Sequence, residues 1–148
     1  MDAISGSSSN MAFDRPHWVA ALLALPGMTL LARLLLTSAY WWGGIAKLAD
    51  WPGALAEQRH FGLEPAPLFA VATIAVELLG SILVVSGRAL WLGAGMLGVF
   101  TLIASLISRP FWAMKGAEGA MALNGFLEHL GLIGGLMLAA ILGARDAR

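Results

Sequence analysis

Cysteine is absent from the chain and charge is scarce. The first absence excludes disulfides, thiol redox chemistry and thiolate-ligated metal. The second bears on solvent: charged residues make up 12% of the sequence, about half of what a soluble domain uses to cover its surface. Lysine plus arginine balances aspartate plus glutamate at nine each, so the basic patch a nucleic-acid partner requires is missing. No glycine-rich phosphate loop, nucleophile elbow or histidine pair at metal-ligand spacing occurs, and no metal site is expected. What fills the chain instead is apolar sequence, 59% of its 148 residues, in runs too long for a soluble core.

A membrane-crossing helix needs about 20 mostly apolar residues, and four stretches qualify. They run over about 28–49, 67–86, 89–108 and 120–143, punctuated by Pro26-Gly27, Pro65, Pro67, Gly87, Pro110 and Gly143. Residues 1–15, rich in serine and glycine, read as a flexible segment, and 16–148 as one domain. Asp2 and Asp14 leave the stretch before Trp18 to Leu25 without net positive charge, and a small-residue cleavage site is missing, so a cleaved signal is not expected. Short interfacial helices are predicted before span one, with Asp14 as cap, and between spans one and two, where Asp50 precedes Trp51 to Phe61. The fold class is therefore all-α, a four-transmembrane-helix bundle embedded in a lipid bilayer.

Inside the runs, the polar residues keep helical spacing. Arg33, Thr37, Tyr40, Gly44 and Lys47 form one stripe down span one. Thr73, Glu77, Gly80 and Ser81 form another on span two. Span three offers Gly98, Thr101 or Leu102, Ser105 and Ser108, and span four Asn124, Glu128, Gly131 and Gly135. Turned inward, these faces build a polar axis from Lys47 through Glu128, His129 and Glu77 to Arg33. At about 1.5 Å per residue, Arg33 lies about 8 Å from its end of the membrane, within reach of Glu77 near mid-span. Lys47 lies at the other end, with Glu128 about 10 Å in.

A charged group deep in a bilayer costs about 3 kcal/mol or more, so each needs a reason. An Arg33–Glu77 strut is one; a polar cavity for a small ligand or a proton relay, with Glu77, Glu128 and His129 as exchanging groups, is the other. Trp51, Trp91 and Trp112 fall near span ends as interfacial anchors, while one of Trp41 and Trp42 is expected to line the interior, a wall suited to a flat ring. Gly131 and Gly135 permit close helix approach. Positive charge favours cytoplasmic termini: Arg15, Arg88, Arg145, Arg148 and Arg33 on their side against Lys47, Arg59, Arg109 and Lys115 on the other.

Arg33-Leu-Leu-Leu, Gly44-Ile-Ala-Lys47-Leu, Phe61-Gly-Leu, Glu77-Leu-Leu-Gly80, Ser86-Gly-Arg88, Arg109-Pro-Phe111-Trp112 and the stretch from Phe126 to Gly134-Gly135 occur in that order. Together they resemble the DoxX family of small bacterial membrane proteins over about residues 31–136. The resemblance implies a four-helix fold in the bacterial inner membrane, cytoplasmic termini, and association with quinone-linked oxidoreductase systems. It carries Arg33, Lys47 and Glu77 over as family positions. One departure stands out: where relatives tend to have a basic residue followed by asparagine ahead of the Gly-Gly pair, this chain has Glu128-His129. That makes a Lys47–Glu128 pairing particular to this sequence.

Joined to the polar axis, the resemblance gives the leading expectation. The chain would be a membrane subunit of an oxidoreductase system, with no redox centre of its own, working with redox-enzyme partner subunits. It would bind quinone or another small lipophilic molecule through Arg33, Tyr40, Trp41, Lys47 and Glu77. A non-catalytic anchor or assembly subunit is the alternative, a small transporter a third, and self-association into a homo-oligomer is open to all of them.

Overall fold

The structure, a computed structural model, describes residues 16–108 and 110–146. The N-terminal segment 1–15 with its Asp14 cap and Arg15, and the charges Arg109 and Arg148, lie outside them. The described chain is helical throughout: α1 (His17–Leu23), α2 (Met28–Leu36), α3 (Ser38–Ala49), α4 (Trp51–His60), α5 (Ala66–Ser86), α6 (Leu90–Ser108), one 3-10 turn (Phe111–Ala113) and α7 (Gly116–Asp146).

Helices α5, α6 and α7 are each long and apolar enough to cross a membrane. A fourth crossing is counted if α1 and α2, bent by 70° across Pro26-Gly27, form one span; that pair takes in the helix predicted to be interfacial and leaves out α3, the second half of the predicted 28–49 span. The second and third predicted spans match α5 and α6 within a residue or two. The fourth begins earlier than predicted, at Gly116, because Glu118 suits the positive end of a helix and lengthens it past the apolar run.

Span one is where the expectation needs correcting. The stretch predicted as a single helix over 28–49 is interrupted at Thr37, which leaves the helical region at φ −98° and ψ 4°. Two neighbouring hydroxyls explain the break. Thr37 Oγ1 donates to the Arg33 carbonyl at 2.8 Å and Ser38 Oγ to the Leu35 carbonyl at 2.8 Å, competing with the backbone ladder. The interruption is mild, since Thr37 N–H still reaches the Arg33 carbonyl.

Between α3 and α5 in sequence, the short α4 packs on both, with Ala54 and Gln58 on its buried face. Its start is set by Asp50, whose carboxylate accepts from Gly53 N–H at 3.0 Å, with Pro52 in the first turn. Helix α5 packs on α3, α4 and α6, and α6 packs on α7; α2 touches both α5 and α7. Glycine sets the closest of these contacts. Gly80 and Gly93 face each other across α5 and α6, and a Cβ on Gly93 would strike the Gly80 carbonyl.

The core at this level is small: Tyr40, Val84, Leu90, Ala94, Leu97 and Leu136. Most large apolar side chains face outward, among them Leu35, Leu68, Ile82, Val99 and Leu138. A bilayer is the solvent in which that surface is stable.

Candidate functional site

Three of the predicted inner faces are the buried ones. Thr37, Tyr40 and Gly44 of span one are buried, with Arg33 and Lys47 half-buried; so are Glu77, Gly80 and Ser81 on α5, and Thr101 and Ser105 on α6. On α7 the inward face differs from the one read from sequence. Asn124, Glu128 and Gly131 are exposed, while Ala122, Gly125 and Leu136 are buried and His129 is half-buried. The sequence offered two polar neighbours on adjacent α7 positions, about 100° apart, and packing against α6 selected the histidine.

The charged centre also pairs differently. Gly43 and Gly44 let α3 come close to α5, with Gly44 against the side chain of Leu78. One turn on, Lys47 is thereby laid onto Glu77. Its ammonium donates to Glu77 Oε1 at 3.2 Å and Oε2 at 3.4 Å, so Glu77 takes Lys47 as its cation instead of the expected Arg33. Glu57 of α4 approaches the same ammonium at 3.9 Å. Glu128 is exposed and, among the described residues, forms no ion pair with Lys47. Exposure falls steadily inward along the triad, from 46% for the Glu57 side chain through 16% for Lys47 to 7% for Glu77. Arg33 sits at the opposite end, its guanidinium packed over Gly87 at the α5–α6 turn.

Beside the triad is a cavity of about 390 Å³. Lys47, Glu57, Gln58 and Glu77 form its polar end, and Phe69, Val76, Phe100, Ile103 and Ile107 its apolar walls. Phe69, Ile103 and Ile107 are themselves exposed, so the apolar end opens sideways along the flank of α5 and α6. Tyr40, Trp41 and Arg33 are not among its walls. Trp41 and Trp42, one of which was expected inside, are 36% and 66% exposed and face outward.

Tyr40 and His129 belong to a separate polar ladder through the bundle. The Tyr40 hydroxyl hydrogen-bonds Thr101 Oγ1, which itself donates to the Leu97 carbonyl at 2.7 Å. One turn along, Ser105 Oγ hydrogen-bonds the Thr101 carbonyl and, at 2.6 Å, His129 Nδ1. With the single hydroxyl hydrogen of Ser105 on that carbonyl, its oxygen accepts from His129 Nδ1–H. The ladder ties α3, α6 and α7 together at their centre.

Against known families, the DoxX model matches residues 28–110, more than half of the chain. The chain belongs to the DoxX family. No curated protein and no solved structure matches it. Two of the three positions carried over from the family resemblance, Lys47 and Glu77, form the ion pair; the third, Arg33, does not join them. The cavity residues Glu57 and Gln58 were missed, although Ala54 and Gln58, one turn apart, mark the buried face of α4. Within this DoxX domain the cavity and its triad are the candidate site.

Proposed function

We propose that this DoxX-family protein binds a quinone, or another small lipophilic molecule with a polar head, in the cavity beside Lys47 and Glu77. It would serve there as a membrane subunit of an oxidoreductase system in the bacterial inner membrane, its termini cytoplasmic. The observation carrying the reading is a cavity with aromatic and aliphatic walls, its apolar side lying along the flank of the membrane-length helices α5 and α6 and its other end charged and hydrogen-bonding. Such a site suits a ligand that arrives through the bilayer with its ring on Phe69 and Phe100 and its polar atoms toward the triad. Glu57, Lys47 and Glu77 also run from the more exposed to the more buried side of the cavity's polar end, an arrangement able to pass protons to a quinone as it takes up electrons. Electrons would be exchanged with a redox-enzyme partner.

Organic extraction of protein purified in mild detergent tests this. Quinone is expected to come with the wild type well above its level in the purification detergent, and to be lost from Ala104→Phe, which fills the cavity wall. Extracts holding no quinone or other lipophilic molecule beyond bulk lipid would sink the reading.

One observation favours the anchor alternative: Lys47 and Glu77 satisfy each other without any ligand. If the pair is only a strut, Ala104→Phe leaves the activity of a reconstituted complex unchanged, while Lys47→Met lowers the yield of complex.

A further inference from the structure

Gln58 is among the most buried polar residues of the molecule, 4% exposed, and it lines the polar end of the cavity. Its backbone carbonyl accepts from Leu63 N–H. Among the described residues, its side-chain amide has no hydrogen-bond partner. A buried amide without a partner is destabilising, and helix α4 could have carried an apolar residue on that face beside Ala54. An unpartnered group at the head of an open cavity is a group held ready for a ligand.

We infer that Gln58 is the head-group residue of the cavity, hydrogen-bonding a carbonyl or hydroxyl of an uncharged ligand. The inference rests on the cavity being a binding site, as proposed above. Charge selects against anions: Glu57 and Glu77 set two carboxylates beside the single ammonium of Lys47. An anionic head would compete with Glu77 for Lys47 and face Glu57 as well. A neutral carbonyl avoids both, since the amide N–H of Gln58 can donate to it while the ion pair stays intact. Reduced to a hydroxyl, the same group could donate to the amide oxygen, so one side chain serves both redox states of a quinone.

Affinities measured on the full chain in lipid nanodiscs test this with three probes. Decylubiquinone has a neutral carbonyl-bearing ring, decylbenzene has ring and tail without carbonyls, and a 2-hydroxy-3-alkyl-1,4-naphthoquinone is an anion at neutral pH. The wild type is expected to prefer decylubiquinone to decylbenzene by roughly ten-fold, the scale of one hydrogen bond. It should also prefer decylubiquinone to the anionic quinone. Gln58→Met keeps the shape and removes the amide; it should abolish the first preference while decylbenzene binds as before. Thermal stability of the free variant should not fall, since no bond within the protein is lost. Gln58→Leu is measured on the same ratio and should behave alike. If either variant keeps the full preference, or the wild type takes the anion as tightly as the neutral quinone, the inference is overturned and the cavity reading stands. If the wild type binds neither neutral probe, the cavity reading itself fails.

Discussion

Lys47 and Glu77 carry the residue-scale energetics of this protein. A buried ion pair contributes little net stability, but stripping one partner leaves an uncompensated charge in a low-dielectric interior. Lys47→Met should therefore lower thermal or denaturant stability in detergent by about 3 kcal/mol, since it leaves Glu77 without its cation. Adding Glu77→Leu to it should recover most of that loss; a double variant no more stable than the single one would refute the pairing. Tyr40→Phe is a milder change, because Thr101 keeps its bond to the Leu97 carbonyl when the phenol oxygen goes. The expected loss is about 0.6 kcal/mol, typical of hydrogen bonds between membrane helices. These positions were half legible. The spacing of Tyr40, Gly44 and Lys47 placed them on one inner face, yet spacing within a helix says nothing of the partner's axial register. Two cations lay on that face, and only the Gly43-Gly44 approach to α5 decided for Lys47.

At the scale of elements, glycine separates contacts that matter from patterns that do not. Gly93 faces the Gly80 carbonyl, so Gly93→Ala should force α5 and α6 apart and cost about 1–3 kcal/mol, read from thermal unfolding in detergent. Gly131→Ala is the contrast. A Cβ there meets nothing, so this variant should unfold at the wild-type temperature or slightly above it. The sequence reading gave Gly131 and Gly135 equal weight as an approach motif, but only Gly135 touches a neighbour, the side chain of Leu36. Element boundaries were legible because proline, glycine and the Asp50 cap act locally. The break at Thr37 was harder to see, since hydroxyls compatible with an intact helix had to turn back on its carbonyls.

At the scale of the whole molecule, the charges of the described residues are unequally divided. Arg33, Arg88 and Arg145 gather at the end where α5 turns into α6 and α7 finishes, with Leu90 packed on Gly143. The other end mixes Lys47, Arg59 and Lys115 with Asp50, Glu57, Glu64 and Glu118. If the arginine end is cytoplasmic, as we propose, the native lack of cysteine makes the test simple. Arg88→Cys should resist a membrane-impermeant maleimide in intact spheroplasts and react after lysis, whereas Lys115→Cys should react in both. The opposite pattern would invert the orientation.

The sequence by itself determined the class of solvent, the extents of α5 and α6, and the inner faces of α3, α5 and α6. Each follows from hydropathy and helical period, quantities carried by neighbouring residues. Which cation meets Glu77, which side of α7 turns inward, and that Gln58 stands at the head of a cavity were decided only by tertiary structure. Those are relations between helices, set by how closely and at what height they pack, and no local pattern encodes that height.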